Sequence, residues 1–485
     1  MKKILTWILS IAMVLTMMPV MGAQAKQAKE PEKVIKLDKD MTLTEPVMVE
    51  KLGKNVVLDL NGYKIEGDFD CDGLCIVDNG AGLTIKDSSS LGTGKIISKG
   101  TKAVSSLACV KNGSLTVNGG TFENEKDDAL WLMDNRGGKL TVNGGYIKSK
   151  GRRAVVAHKG SNLTINGGTM TSVKKDKPSV FVEFAKAVIN GGKIIGEDAN
   201  GVRCHSAVVD VNGGDIAGDR ALMLKEKSKA VINGGHFVGR LYGVVVEKDA
   251  DAKPVAGRFE APVGAKALIV ESDKYHFKKA TDIIAPGSVM EPKQDAKLNK
   301  HGPFYYSEIE KSFTLRAKIS SAKLSSGSYT YDGKVKTPGV VVKSGNRVLK
   351  NGRDYTVSYA KGRKNVGAYN VTVTGKGNYI GKVNMSFNIN PKGTKIKKLY
   401  RGFKRFYVKW KKQRIQTTGY QIIYSRNKKF SKAKVKTVRS NRYKGTNIKR
   451  LKRYKRYYVK VRTYKTVSGK RFYSGWSKVR SVRTR

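Results

Sequence analysis

The sequence predicts an all-β protein in which a long solenoid of stacked coils is followed by two β-sandwich domains. Three observations carry this prediction: a short phrase that recurs six times between Leu115 and Phe237, a change to short separated strands near Lys318, and a strongly basic block that begins at Pro391. Each observation predicts one part of the chain.

The recurring phrase ends in Asn-Gly-Gly. It reads LTVNGG, LTVNGG, LTINGG, AVINGG, VDVNGG and AVINGG, beginning at Leu115, Leu140, Leu163, Ala187, Val209 and Ala230. The intervals of 25, 23, 24, 22 and 21 residues have the length of one solenoid coil and are too short for independent domains. Two weaker copies, at Leu58 and Leu83, bring the expected number to about eight coils.

Within each copy, apolar and polar residues alternate as in a half-buried strand. Stacked strands would place the phrase's asparagines above one another, where carboxamides can donate and accept along the column. This structural ladder comprises Asn118, Asn143, Asn166, Asn190, Asn212 and Asn233. The pattern resembles the right-handed parallel β-helix of the pectate-lyase-like superfamily, and this resemblance implies a β-helix over residues 26–260.

The N-terminus has the pattern of a secretory signal. Lys2 and Lys3 precede an apolar run from Ile4 to Met21, and Ala23-Gln24-Ala25 follows as a cleavage site, which predicts a signal peptide over residues 1–25. The alternative is an uncleaved membrane anchor, because the run is near the lower length limit for spanning. No transmembrane span is expected after cleavage, so we expect a secreted protein associated with the cell surface or cell wall.

The four cysteines do not form a disulfide framework in a chain of this length. Cys71 and Cys75 are close enough in sequence to form a disulfide in a loop, while Cys109 and Cys204 fall in strand-like runs as small buried hydrophobes. No CxxC pattern is present, and neither a metal nor another cofactor is expected.

Residues 261–317 contain no Asn-Gly-Gly phrase and are expected to form a final coil, a cap and a linker, because the end of a β-helix exposes strand edges that need covering. Residues 318–390 contain short alternating strands such as DYTVSYA at Asp354 and YNVTVTGKGNY at Tyr369. Together with YDG at Tyr331, these phrases resemble the bacterial immunoglobulin-like repeats of Gram-positive surface proteins. The resemblance implies a β-sandwich.

Residues 391–485 resemble a fibronectin type III domain. Trp410 ends an early strand, GYQIIYS follows from Gly419, and SGWSKVRSVRT resembles the last strand of the family. Leu451 stands six residues before Tyr457, which matches the tyrosine corner of that family. Gly352-Arg353-Asp354 is the reverse of the RGD triplet, so integrin recognition is not implied.

A second strand follows each Asn-Gly-Gly phrase. If its apolar positions face the core, two columns face outward. One column contains Met133, His158, Glu183, His205, Lys225 and Glu247, and the other contains Trp131, Val156, Phe181, Arg203, Met223 and Val245. Glu183, His158, His205 and Arg203 are the candidate catalytic residues. Trp131, Phe181 and Lys225 are candidate glycan-binding residues.

A solvated, noncatalytic face is the favoured interpretation of these columns. Asp127-Asp128 and Arg152-Arg153 occupy equivalent turns of consecutive coils, which indicates cross-coil ion pairs rather than a calcium site or a lyase base. The chain lacks the paired-Asp, GHG and RIK signatures of polygalacturonases. The alternative is a polysaccharide lyase or glycoside hydrolase that acts on an acidic polysaccharide, as in many members of that superfamily.

The basic charge is concentrated at one end. Residues 391–485 contain 35 Lys plus Arg and no Asp or Glu, within a chain whose net charge is +55. Such a surface attracts an anionic polymer, for which the candidates are teichoic acid, anionic lipid, acidic or sulphated glycans and nucleic acid. Export from the cell would exclude genomic DNA as the normal partner. The alternative is a general basic bias of the proteome, in which case the domain is only a spacer. The favoured expectation is a noncatalytic adhesion or glycan-contact protein held on an anionic wall or matrix.

Overall fold

A computed structural model describes residues 32–252, 254–272, 283–286, 288–301 and 304–485. The expected signal peptide, residues 1–25, lies outside the described residues. The chain divides into two compact units, residues 1–317 and 318–485. In the described ranges, no helix has the length and apolar character needed to cross a membrane.

The first unit is a β-solenoid of about ten turns, and each turn contributes a strand to each of three rows. The strands of the Asn-Gly-Gly phrase lie in the first row, where every pairing is parallel. Its strands are Lys33–Lys36, Asn55–Asp59, Gly82–Lys86, Ser114–Val117, Lys139–Val142, Asn162–Ile165, Lys186–Ile189, Val208–Val211, Lys229–Ile232 and Asp251–Ala252.

The second and third rows follow in each turn, and they merge into one long strand in the eighth and ninth turns. The second row comprises Met41–Leu43, Lys64–Gly67, Lys95–Ser98, Thr121–Asn124, Tyr146–Ser149, Thr169–Ser172, Lys193–Gly196 and Gly257–Glu260. The third row comprises Val47–Met48, Cys75–Val77, Ala108–Val110, Leu130–Leu132, Val155–Ala157, Val180–Glu183, Val202–His205 and Lys266–Ser272. The merged strands are Asp215–Lys225 and His236–Val246, and a short 3-10 helix spans Val49–Lys51.

Stacking in register places like residues above one another and builds one continuous core. Leu115, Leu140 and Leu163 are direct partners in the first row, and each is 1 % exposed. The threonine that follows each leucine points to the outside and is half-buried. The alternation seen in the sequence therefore separates the core from the outer face.

The paired glycines allow consecutive turns to approach closely. Gly168 has a φ of +82°, which favours glycine, and a Cβ on Gly167 would lie 2.5 Å from the carbonyl oxygen of Asn143 in the turn below. A side chain at either position would push the two turns apart.

The number of turns exceeds the eight expected from the phrase. The additional turns begin at Lys33 and Asp251, and neither contains Asn-Gly-Gly. Backbone pairing alone continues the rows at both places, with Lys33 opposite Val56 and Lys229 opposite Asp251. The glycine turn is therefore not required for every coil.

Four antiparallel strands follow the last turn: Ser288–Glu291, Lys297–His301, Phe304–Ile309 and Phe313–Lys318. Phe313–Lys318 pairs with the last strand of the second row, and Phe304–Ile309 pairs with that of the third row. The rings of Phe237, Phe259 and Phe313 stack at 5.1 and 4.6 Å between centroids, which carries the core into these strands. They cover edges that would otherwise be free to pair with another chain.

The second unit begins with a sandwich of two sheets. One sheet contains Ser321–Leu324, Val340–Ser344 and Arg347–Val348, and the other contains Ser328–Thr330, Lys382–Asn390, Gly367–Gly375 and Tyr355–Tyr359. A short strand, Tyr379–Ile380, lies in sequence between Gly367–Gly375 and Lys382–Asn390. Val371, Phe387 and Ile389 form the buried centre.

A second sandwich completes the chain. Its three-stranded sheet contains Ile396–Gly402, Arg405–Trp410 and Gly445–Ile448. Its five-stranded sheet contains Lys434–Val438, Gly419–Ser425, Arg456–Val467, Lys470–Tyr473 and Arg480–Arg483. Trp410 and Tyr420 lie between the sheets with ring centroids 4.8 Å apart. The core side of each strand is apolar, while most Lys and Arg side chains lie outside.

The two cysteines considered for a disulfide, Cys71 and Cys75, are both free thiols in the structure. Cys75 lies in a third-row strand and packs into the solenoid core, whereas Cys71 forms an isolated backbone bridge with Val104 of the next turn. Cys75 therefore lies in the core and not in the loop where a disulfide with Cys71 was considered. Cys109 and Cys204 are also free and buried.

Candidate functional site

The first outward column of the third row is a ladder of ionisable side chains. His205 lies opposite Glu183, and Lys225 lies opposite His205. Nδ1 of His158 is 3.0 Å from Oε2 of Glu183, and Nδ1 of His205 is 3.9 Å from Oε1 of the same carboxylate. Lys225 and Glu247 continue the column as an ion pair at 3.4 Å. The structure thus brings the predicted catalytic candidates together around Glu183.

Arg203 fixes the state of one of these histidines. Its Nε donates to Nε2 of His205 at 3.0 Å, so the proton of a neutral His205 lies on Nδ1 and faces Glu183. Burial, followed by the charge of Arg203, lowers the pKa of His205. His205 is therefore neutral near pH 7. Its Nδ1 lies 3.9 Å from a carboxylate oxygen of Glu183 and 3.9 Å from one of Glu226, which is too far for a hydrogen bond to either.

The second outward column is more buried than its position on the strands suggests. Val156 is fully buried, and Phe181 is 7 % exposed. The imidazole of His158 packs edge-on against Trp131 and Phe181, at centroid distances of 6.5 and 6.2 Å. The guanidinium carbon of Arg153 lies 4.6 Å from the centre of the Phe181 ring. These neighbours cover ring surface that stacking on a sugar would require.

The turns beside this face contain the predicted cross-coil ion pairs. Arg152 lies 3.1 Å from Asp127, and Arg153 lies 3.7 Å from Asp128. Burial raises the pKa of Asp128 to about 6, and the neighbouring Arg153 only partly offsets this. Sequence spacing indicated the pairing but gave no sign that one pair is buried.

Two hydrogen-bond donors at this face have no acceptor among the described residues. They are Nε1 of Trp131 and Nε of Arg153, and both atoms are shielded from solvent. They therefore add no accessible donor to the outer surface. Within the described residues, no group of three or more His, Cys, Asp or Glu side chains is arranged to hold a metal ion.

The phrase asparagines form a single hydrogen-bonded column. Each side-chain Nδ2 donates to Oδ1 of the asparagine one turn earlier, from Asn143 to Asn118 and onward to Asn233. The distances are 2.8, 2.8, 2.8, 2.9 and 3.2 Å along the column. This column is a structural element on the outside of the turns.

The final sandwich holds its cations without carboxylates. Since residues 391–485 contain no Asp or Glu, aromatic rings and carbonyl oxygens take their place as neighbours. Nζ of Lys460 lies 4.0 Å from the centre of the Phe430 ring. The guanidinium carbon of Arg462 lies 3.9 Å from the ring centre of Tyr473 and 4.3 Å from that of Trp476. The aromatic residues of this sandwich therefore take part in cation–π contacts on the outside as well as in core packing.

Tyr457 anchors the turn before its strand. Its side chain is 6 % exposed, and its hydroxyl oxygen accepts a hydrogen bond from the backbone N–H of Lys452 at 3.1 Å. This is the geometry of a tyrosine corner. The strand order of the two sheets is likewise fibronectin-type-III-like.

No protein-family model matches this sequence. No curated protein sequence matches it.

Solved structures that the chain resembles contain fibronectin type III domains. The FN1–FN3 domains of chicken CNTN1 share 16 % identity over 41 % of this chain and 90 % of that one, with a TM-score of 0.21. A segment of two fibronectin type III domains from chicken tenascin shares 14 % identity over 34 % of this chain and 99 % of that one, with a TM-score of 0.24. Scores this low carry no argument about function. The protein is defined by its own fold, a β-solenoid of about ten turns followed by β-sandwiches, the last of which is fibronectin-type-III-like.

Proposed function

We propose that the protein is a noncatalytic secreted or cell-surface protein whose final sandwich binds an anionic polymer of the wall or matrix. In this proposal the solenoid serves as a rigid stalk and adhesion surface. A β-solenoid and a fibronectin-like fold are compatible with surface or adhesion proteins in general, but fold alone does not assign the function.

The absence of counter-charges in the final sandwich is the observation that carries the proposal. Its 35 Lys and Arg residues have no Asp or Glu within residues 391–485. Uncompensated positive charge attracts polyanions, releases their counterions on binding and is screened over about 8 Å in physiological salt. The binding is therefore expected to be electrostatic.

Salt dependence tests this mechanism. The full chain should be retained on immobilised heparin or teichoic acid at low salt and released as the salt concentration rises. Retention that persists unchanged in about 1 M salt would contradict a charge-driven mechanism. Failure to be retained at low salt would reject anionic-polymer binding.

The cluster around Glu183 favours a second candidate function, a polysaccharide lyase or glycoside hydrolase. A carboxylate between two histidines, with Arg203 beside them, contains groups capable of acid and base catalysis. The covering of Phe181 and the mutual packing of the side chains favour a structural role instead.

An activity assay separates the two candidates. The full chain is incubated with pectate, alginate and chondroitin, and unsaturated products and new reducing ends are measured. We expect no turnover. Turnover that is abolished in Glu183→Ala but retained in Glu123→Ala, the same change on a second-row strand away from this column, would establish the enzymatic alternative.

A further inference from the structure

One end of the final sandwich carries two exposed aromatic rings around an arginine. Phe403 and Tyr454 are 59 % and 58 % exposed. The guanidinium carbon of Arg453 lies 4.9 Å from the centre of each ring, and Nζ of Lys404 lies 5.4 Å from that of Phe403. We call Phe403, Lys404, Arg453 and Tyr454 the end patch.

The backbone around the end patch is held by hydrogen bonds from three chain segments. The N–H of Leu451 donates to the carbonyl of Lys404 at 2.9 Å, and the N–H of Arg485 donates to that of Gly402 at 3.0 Å. The buried hydroxyl of Thr484 donates to the carbonyl of Lys452 at 2.7 Å. Together with the Tyr457 corner, these bonds preorganise the turn that presents Arg453 and Tyr454.

Two residues of the end patch have backbone conformations that disfavour their side chains. Lys404 has a φ of +46° and Tyr454 has a φ of +53°, in the region where glycine or asparagine is usual. The chain retains a long cation and a large ring at these positions. Both side chains lie on the surface of the sandwich rather than in its core.

Arg453 keeps most of its donors available. Its Nη2 donates to the Tyr454 hydroxyl at 2.9 Å, and among the described residues Nε and Nη1 have no hydrogen-bond acceptor. A guanidinium stacked on rings still presents in-plane N–H groups, which suit the paired oxygens of a carboxylate or sulfate. The surrounding exposed cations include Arg405, Arg450, Lys452, Lys455 and Arg483.

We propose that the end patch is the binding site for an acidic polysaccharide. In this site the Arg453 guanidinium forms hydrogen bonds with a carboxylate or sulfate, while the rings of Phe403 and Tyr454 pack against sugar rings. This inference rests on the proposed function and locates it. Charge complementarity selects a polyanion, exposed ring faces suit sugars, and the expected export favours an extracellular polysaccharide over nucleic acid.

The opposite end of the same sheet supplies matched controls. Tyr443 is 59 % exposed and Arg442 is exposed beside it. They precede the strand that pairs with Lys409 near the far end of Arg405–Trp410, roughly 15 Å from the end patch at about 3.4 Å per residue. Tyr443→Ala and Arg442→Lys therefore change the same residue types away from the end patch.

Binding of the full chain and its variants to heparin, polygalacturonate and neutral dextran is measured by calorimetry. Since the substituted side chains are exposed, the fold should persist, and circular dichroism checks this. Phe403→Ala/Tyr454→Ala should lose about tenfold or more in affinity for both acidic polysaccharides, whereas the controls should stay within about twofold. Arg453→Lys should lose about threefold or more although its charge is unchanged.

Other outcomes overturn the proposal. Salt-dependent binding that the end-patch variants leave equal to the controls would mean that charge acts diffusely, so that the site assignment fails while the proposed function stands. If the unmodified chain does not bind either polysaccharide at low salt, the proposed function fails too. Tighter binding to DNA or to anionic phospholipid vesicles, with the same sensitivity to the end-patch variants, would replace the polysaccharide by that partner.

Discussion

The guanidinium of Arg462 lies over the ring of Tyr473, with 3.9 Å between the guanidinium carbon and the ring centre. Nε and Nη2 of Arg462 both donate to Oε1 of Gln421, at 2.8 and 2.6 Å. Burial lowers the pKa of Arg462, but an arginine remains charged in proteins. This cation is therefore stabilised by a ring and an amide in a domain without carboxylates.

Arg462→Lys should destabilise the final sandwich by about 1–2 kcal/mol, because an ammonium replaces neither the planar stacking nor both hydrogen bonds. Chemical denaturation of the full chain, followed by hydrogen exchange in residues 391–485, measures the change. Arg442→Lys, on an exposed turn, is the control and should change stability by less than about 0.5 kcal/mol. Equal effects of the two substitutions would show that the stacking contributes nothing.

The asparagine column predicts a difference between its middle and its end. Asn166 donates to Asn143 and accepts from Asn190, whereas Asn118 only accepts from Asn143 within the column. Asn166→Asp loses a donor and sets two oxygens against each other, so it should cost about 2 kcal/mol. Asn118→Asp keeps its acceptor role and should cost less than about 0.5 kcal/mol. Urea unfolding at pH 7 compares them, and equal costs would show that the column adds no directional stabilisation.

Asp128 predicts a pH dependence of solenoid stability. In the unfolded chain its carboxyl has a pKa near 3.8, and in the folded chain burial raises the pKa to about 6. Between these values the folded state binds more protons, so the contribution of this group to stability falls as pH rises and its loss is complete above pH 6. The size of the loss is on the order of 2–3 kcal/mol.

Asp128→Asn should remove this dependence while keeping the oxygen that accepts the backbone N–H of Arg153 at 3.0 Å. Relative to the unmodified protein, the variant should gain stability between pH 4 and pH 7, because asparagine stays neutral while the buried Asp128 ionises. Urea unfolding at the two pH values measures the gain. A stability difference that does not change with pH would contradict the raised pKa.

The cysteines should be unreactive in the native protein. Burial raises the pKa of Cys71 to about 11 and the pKa values of Cys75, Cys109 and Cys204 to about 12. At pH 8 the thiolate of Cys71 is on the order of 0.1 % populated. Iodoacetamide should label Cys71 slowly and the other three only after unfolding. Mass spectrometry should find four labelled cysteines in the unfolded chain without reductant, and two fewer would reveal a disulfide.

The sequence predicted the solenoid because Leu115 and its counterparts alternate with threonine at a spacing of one coil. It missed the turns at Lys33 and Asp251, because backbone pairing continues there without the Asn-Gly-Gly turn. The alternation of apolar and polar residues also predicted that the Phe181 side chain points away from the solenoid core, and this direction is correct. It did not predict that His158 and Arg153 would cover the ring, because strand periodicity describes a side chain's direction and not the packing above it.

The outward ladder around Glu183 followed from register alone, since equal spacing in parallel coils brings corresponding residues together. The end patch was not predicted. Phe403 and Arg453 are far apart in sequence and meet where the N–H of Leu451 donates to the carbonyl of Lys404 between two turns. A contact that does not repeat along the chain cannot be predicted from the sequence spacing of its residues.

The carboxylate-free sandwich also lacks histidine, so no side chain in residues 391–485 titrates between about pH 3 and pH 9. Its electrostatic field is therefore constant across that interval, and acidification cannot unfold it by protonating ion pairs. In the proposed binding to a polyanion, a change in the affinity of this sandwich between about pH 3 and pH 9 would therefore follow from titration of acidic groups on the polymer rather than on the sandwich itself.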